Sequence, residues 1–135
     1  MSSPSETANT TGDGVGTSLS RNFTVEEKNT VGFMVPGMPM VAATPYLVGI
    51  AEMTCYDIVK PMLEQGVVTV GTRVVIDHLG ASKVGSTLVV DATLRSREKN
   101  RYRFMATITD GARTVARIEH ERAAVSMQKL VGALG

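Results

Sequence analysis

The chain has no tryptophan, one cysteine, two histidines and only six aromatic residues, three Tyr and three Phe. Each scarcity excludes something. A single Cys55 excludes an intrachain disulfide and a cysteine-built zinc site. His78 and His120 lie 42 positions apart, which excludes a His-x-x-x-His metal pair. So few aromatics argue against a base-stacking platform for single-stranded nucleic acid. Charge of one sign is lacking too: 14 Lys and Arg against 13 Asp and Glu leave a formal net charge of +1. That balance does not suit a protein whose affinity for a polyanion rests on counterion release. Residues 2–20 are Ser-, Thr- and Gly-rich with no Lys or Arg before Arg21. They read as a disordered tail over 1–20, not as a signal or transit peptide, and the expected compartment is the cytoplasm. The one long uncharged run, Thr30 to Ala51, has the length of a membrane span. Pro36, Pro39 and Pro45 with Gly32, Gly37 and Gly49 break it into a lid-like segment, and no membrane association is expected.

What is present fits one globular domain, expected over 21–130. Of 135 residues, 43% are hydrophobic and 20% charged, enough apolar material for a core. Arg21 to Phe33 reads as a first strand. Thr44-Pro45 resembles an N-cap followed by a first-turn proline, and Leu47, Ile50, Ala51, Thr54 and Ile58 then form one helical stripe. Four strands follow in meander spacing: Val67 to His78, Gly85 to Arg95, Arg101 to Asp110 and Thr114 to Val125. Turns are expected at Glu98-Lys99-Asn100 and Asp110-Gly111. One helix against a run of antiparallel strands is an α+β pattern, and the uncovered side of such a sheet calls for a partner subunit.

Three residues stand out for chemistry. Glu52 lies mid-helix among Val48, Cys55 and Val59, either as an exposed helix position or as a carboxylate in apolar surroundings, where its charge is costly unless paired. His78 ends a one-parity strand run of Val68, Val70, Thr72, Val74 and Ile76, as a rim histidine or as an acid-base group. Thr44, as N-cap, brackets the stretch from the helix N-terminus to Glu52, about 12 Å at ~1.5 Å per residue. Arg95, Arg97, Lys99, Arg101 and Arg103 alternate around a hairpin, as a solvated face or as phosphate contacts. His120-Glu121-Arg122 lies in the last strand, with Arg122 as a structural ion-pair partner or a ligand-site group.

The stretch Thr44-Pro-Tyr-Leu-Val-Gly-Ile-Ala-Glu52, then Thr69-Val-Gly-Thr72, Val75-Ile-Asp-His78-Leu and His120-Glu121-Arg122, resembles the hot-dog thioesterases of the fluoroacetyl-CoA thioesterase type. The resemblance runs from about residue 21 to residue 128. It implies a hot-dog fold, with a long helix against a curved antiparallel sheet of about five strands. It implies a homodimer with acyl-CoA sites near the subunit interface, tetramers being left open. It implies that Thr44, Glu52 and His78 act on a thioester and that Gly71 and Arg122 lie close to the acyl group. The resemblance breaks in the lid, Phe33 to Ala43, where Val35 and Met38 stand in place of the phenylalanines of the fluoroacetyl-specific member. The catalytic constellation is kept and the selective gate is not.

The expected reaction is hydrolysis of an acyl-CoA or related acyl thioester, with Glu52 as nucleophile or base, Thr44 orienting and His78 moving a proton. Backbone N–H groups near Gly71 would hold the oxyanion. No metal or redox cofactor is called for. The rivals are a non-catalytic acyl-CoA-binding module on the same fold and a structural subunit.

Overall fold

In the computed structural model, residues 12–135 are described, together with the backbone of residues 5–7. The strands are β1 (Ser5–Thr7), β2 (Ser18–Thr24), β3 (Val67–His78), β4 (Thr87–Glu98), β5 (Arg101–Asp110) and β6 (Arg113–Ser126). The helices are α1 (Val31–Met34), α2 (Thr44–Val59) and α3 (Met127–Gly132). All strand pairs are antiparallel, in the order β1-β2-β4-β5-β6-β3. The result is one long helix packed on five long strands, to which β1 adds a short edge.

The alternating apolar residues of the strands make the inner face. Leu88, Val90, Ala92 and Leu94 of β4, with Tyr102, Phe104, Ala106 and Ile108 of β5, are all buried. Against them α2 lays Leu47, Ile50, Ala51, Thr54 and Ile58, the stripe expected from its periodicity, with Cys55 and Val59 beside it. Thr54 resolves the polarity of its position by donating from its hydroxyl to the Ile50 carbonyl at 2.9 Å. Both expected turns form, with Lys99 adopting a left-handed φ of 56° between β4 and β5.

Three expectations need correction. Arg21–Phe33 is not one strand: β2 ends at Thr24, and a 3-10 turn over Glu27–Asn29 leads into α1. Side chains end the extended run there. Asn29 Oδ1 accepts from the Glu26 N–H at 2.9 Å, and the Thr30 hydroxyl oxygen accepts from the Phe33 N–H at 3.2 Å. Phe33 and Met34 are consequently turned outward, 64% and 56% exposed. Second, the sheet begins before residue 21: β2 starts at Ser18, Leu19 enters the core and Thr17 is buried. Residues 1–4 and 8–11 of the expected tail lie outside the described residues, and Ser5–Thr7 pair with β2. Third, the parity of β3 is interrupted by a bulge between Gly71 and Arg73, which pair with the successive β6 residues Arg122 and Glu121.

The uncharged run Thr30–Ala51 is divided among α1, a loop and the first half of α2. Among the described residues no helix is long and apolar enough to cross a membrane.

Candidate active site

The bulge in β3 decides which side chains meet. Thr72 is its extra residue, and its hydroxyl donates to the Glu121 carbonyl at 3.1 Å. With the parity reset, Thr69 and Gly71 face the inner side, next to His120 and Arg122 of β6 and below Glu52 of α2.

Arg122 is 6% exposed and is held on several sides. Its Nε donates to Thr69 Oγ1 and its Nη2 to the Thr69 carbonyl, both at 2.9 Å. Its Nη1 lies 3.0 Å from His120 Nε2 and 3.5 Å from Glu52 Oε2. Its guanidinium also sits 5.5 Å from the centre of the Tyr56 ring. Burial pulls the Arg122 pKa down, and Glu52 is the first of the groups that oppose the shift. A guanidinium so buried is tolerable because it is hydrogen-bonded and paired.

Glu52 is the accessible half of the pair, its side chain 38% exposed. It lines an open pocket of about 450 Å³ with Gly49, Met53, Tyr56 and Arg122. The carboxylate lies directly over Gly71: a Cβ at that position would stand 2.5 Å from Glu52 Oε2 and 3.1 Å from His120 Cε1. A strand residue without a side chain is what lets the carboxylate approach the sheet.

Thr44 and His78 form a second group. Thr44 does not cap its helix; Ala43 holds the N-cap position and its carbonyl accepts from the Leu47 N–H at 3.2 Å. The Thr44 hydroxyl is therefore available to His78, whose Nδ1 lies 2.7 Å away. Both residues are exposed. Two turns of α2, about 12 Å at ~1.5 Å per residue, separate them along the helix from Glu52. Within one chain, the residues singled out from sequence thus fall into two sets: Glu52 with Gly71 and Arg122, and Thr44 with His78.

Sequence reasoning passed over Thr69, Tyr56 and the part played by His120. His120 is 3% exposed, and its Nδ1 lies 2.9 Å from the Arg73 carbonyl. The available signal was the shared parity of Ile118, His120 and Arg122, which puts two polar residues on the apolar face of a central strand. The hairpin arginines resolve differently from one another. Arg101 and Arg103 pair with Glu121, at 2.6 and 3.5 Å, and Arg97 packs over Tyr102. Arg73, Arg95 and Arg103 border a cleft of about 500 Å³ shared with Glu119 and Glu121. Among the described residues no group of three or more His, Cys, Asp or Glu is arranged to hold a metal ion.

The arrangement can present a carboxylate, backed by a fixed cation, to a ligand entering beside α2. A family model for fluoroacetyl-CoA-specific thioesterases matches residues 25–128. A fluoroacetyl-CoA thioesterase of Streptantibioticus cattleyicolor is 32% identical over 121 residues, covering 85% of this chain and 87% of that protein. A solved structure of a fluoroacetyl-CoA thioesterase superposes with a TM-score of 0.85 at 31% identity, over 89% of this chain and 93% of that one. A hot-dog-like protein from Thermanaerovibrio acidaminovorans, 23% identical, shares the fold with a TM-score of 0.82 over 89% of both chains.

Proposed function

The chain belongs to the fluoroacetyl-CoA-specific thioesterase family, and from that premise we propose that Glu52, set over Gly71 and backed by Arg122, is the carboxylate that opens the thioester. The protein is a thioesterase that hydrolyses an acyl-CoA thioester to free acid and thiol. The observation that carries the assignment of Glu52 is its geometry: a half-exposed carboxylate, paired at 3.5 Å to a buried arginine, at the edge of an open pocket.

Glu52 attacks the thioester carbonyl, or takes the proton of the water that does. Arg122 and the backbone at Gly71 lie beside the acyl group. Thr44 orients and His78 transfers a proton to the departing thiolate, their 2.7 Å contact fixing the imidazole at its Nδ1. The two helical turns between His78 and Glu52 favour a site completed by a second copy of the chain. β3 supports that reading, since it is a 12-residue edge strand that, among the described residues, pairs with β6 alone. We therefore assign a homodimer, whose folded unit takes in the expected residues 21–130 and begins earlier, with β2 at Ser18. The lone buried cysteine fits a cytoplasmic location, which cell fractionation tests.

Val35 and Met38, 49% exposed each, lie in the loop segment after α1. A lid of flexible aliphatic side chains suits acyl groups other than fluoroacetyl. The test is a panel of acyl-CoAs from acetyl to long-chain and aryl, including fluoroacetyl-CoA, with free thiol followed and the dimer verified by sedimentation. Turnover that disappears in Glu52→Gln is the expected result. Undiminished turnover in a folded, dimeric Glu52→Gln protein overturns the assignment of Glu52, and tight acyl-CoA binding without thiol release would make the chain a binding module.

A further inference from the structure

His120 is almost wholly buried, its side chain 1% exposed and its ring centre 6.1 Å from that of Phe104. Its hydrogen bonds determine its chemical form. A guanidinium has donors and no acceptor, so at 3.0 Å from Arg122 Nη1 the His120 Nε2 must accept. Nδ1 then carries the proton and donates it to the Arg73 carbonyl at 2.9 Å. Both ring nitrogens are satisfied only in the neutral, Nδ1-protonated tautomer. A proton on Nε2 would confront an N–H of Arg122 with another N–H and set two cations side by side in a buried place.

This form bears on Glu52. Arg122 Nε and one N–H of its Nη2 are bound to Thr69, and Nη1 divides its two N–H groups between His120 at 3.0 Å and Glu52 at 3.5 Å. We propose that neutral His120 is a positioning residue for the thioesterase reaction: by occupying one Nη1–H of Arg122, it keeps Glu52 loosely paired and free to react. Without that acceptor, a buried N–H is left unsatisfied, and Glu52 Oε2, already 3.5 Å from Nη1, is the acceptor at hand. The carboxylate is then drawn onto the arginine and away from the pocket. The proposal rests on the assignment of Glu52 as the reacting carboxylate.

His120→Phe keeps an aromatic ring beside Phe104 and removes the acceptor. The expected result is a fall in kcat of at least about tenfold with KM within about twofold, since substrate contacts are untouched while a reacting group is displaced. His120→Gln, whose Oε1 accepts in place of Nε2, is expected to recover most of the loss. Nitrogen-15 spectra of the histidine rings in the unmodified protein, assigned with His78→Asn, read the tautomer without any change at His120. A neutral Nδ1–H ring supports the proposal. An Nε2–H ring or an imidazolium at neutral pH overturns it, as does a folded His120→Phe protein with unchanged kcat, or a Gln variant no better than Phe. Glu52→Gln separates the two levels: if it stays fully active, the carboxylate assignment fails and takes the proposal with it. If it is inert while His120→Phe turns over normally, only the role of His120 fails.

Discussion

Gly71 fixes how near a carboxylate can come to the sheet. The atom that a Cβ would strike at 2.5 Å is Glu52 Oε2, the far end of a flexible side chain. An alanine at Gly71 therefore displaces the carboxylate most, presses lightly on the His120 ring at 3.1 Å and meets no backbone atom among its nearest contacts. Gly71→Ala is expected to lower kcat by about tenfold or more, as misplacement of a reacting group by a fraction of an ångström can do, while its thermal midpoint stays near that of the unmodified protein. A parallel collapse of stability and activity would show that Gly71 serves the strand instead. His120 carries a pH consequence. Burial, the largest cause, depresses its pKa below the ordinary value of 6.5, with the nearby Arg122 cation adding to the shift; the bond to the Arg73 carbonyl and the Glu52 charge oppose it. Well above pH 6.5, neither the folded nor the unfolded chain protonates this ring, and it has no effect on stability. Below that, the unfolded chain takes up a proton that the folded one refuses, so stability falls as pH falls from 6.5 toward the depressed value. Denaturation midpoints between pH 7.5 and pH 5, conditions chosen to span about one unit or more either side of the unperturbed histidine pKa, should drop more steeply for the unmodified protein than for His120→Gln. Equal slopes would mean that the ring titrates as it does in the unfolded chain.

Helix α2 starts without help from Thr44. A capping threonine contributes about 1 kcal/mol on average; here the hydroxyl is directed at His78 instead. Thr44→Val is accordingly expected to leave the unfolding free energy within about 0.5 kcal/mol of its original value, below the usual loss for a cap, and to cut turnover. A full cap-sized loss in denaturant titration would contradict the observed bonding. The same helix shows what the sequence made legible. Its buried stripe follows from the 3.6-residue period; β5 has the limits read from its alternation, and β3 those read from its run of Val, Thr and Ile. Misread elements were those decided by side chains bonding to nearby backbone. Phe23, Val25, Val31 and Phe33 alternate well enough for a strand, but Glu26, Asn29 and Thr30 close local turns that alternation does not register. Thr44 has the residue type and the following proline of a cap, and only the fold brings His78 within reach. The bulge at Thr72 reverses the parity of everything before it, and the run Val67-Val68-Thr69-Val70 hides the reversal because it carries Val in both parities. Hence Thr69, which holds Arg122 through two bonds, was not singled out, whereas Glu52, Gly71 and Arg122 were.

At the scale of the molecule, the sheet runs from a three-residue edge strand, β1, to a twelve-residue one, β3, which among the described residues pairs only with β6, and the polar network lies next to the longer edge. The two sets of candidate residues are thus placed where a second chain can join them. The opposite is true of the only sulfhydryl. Cys55 lies between helix and sheet with no exposure, and burial pushes its pKa up to about 12 against the pull of Arg122. An enzyme whose product is coenzyme A works in the presence of a free thiol and, on oxidation, of its disulfide. Mixed disulfides form through an accessible thiolate, and this chain offers none. Incubated with coenzyme A disulfide, the folded protein should keep its intact mass, and the adduct of a single coenzyme A should appear only after unfolding. The position of one sulfur atom thereby leaves the enzyme with no covalent memory of the product it has released.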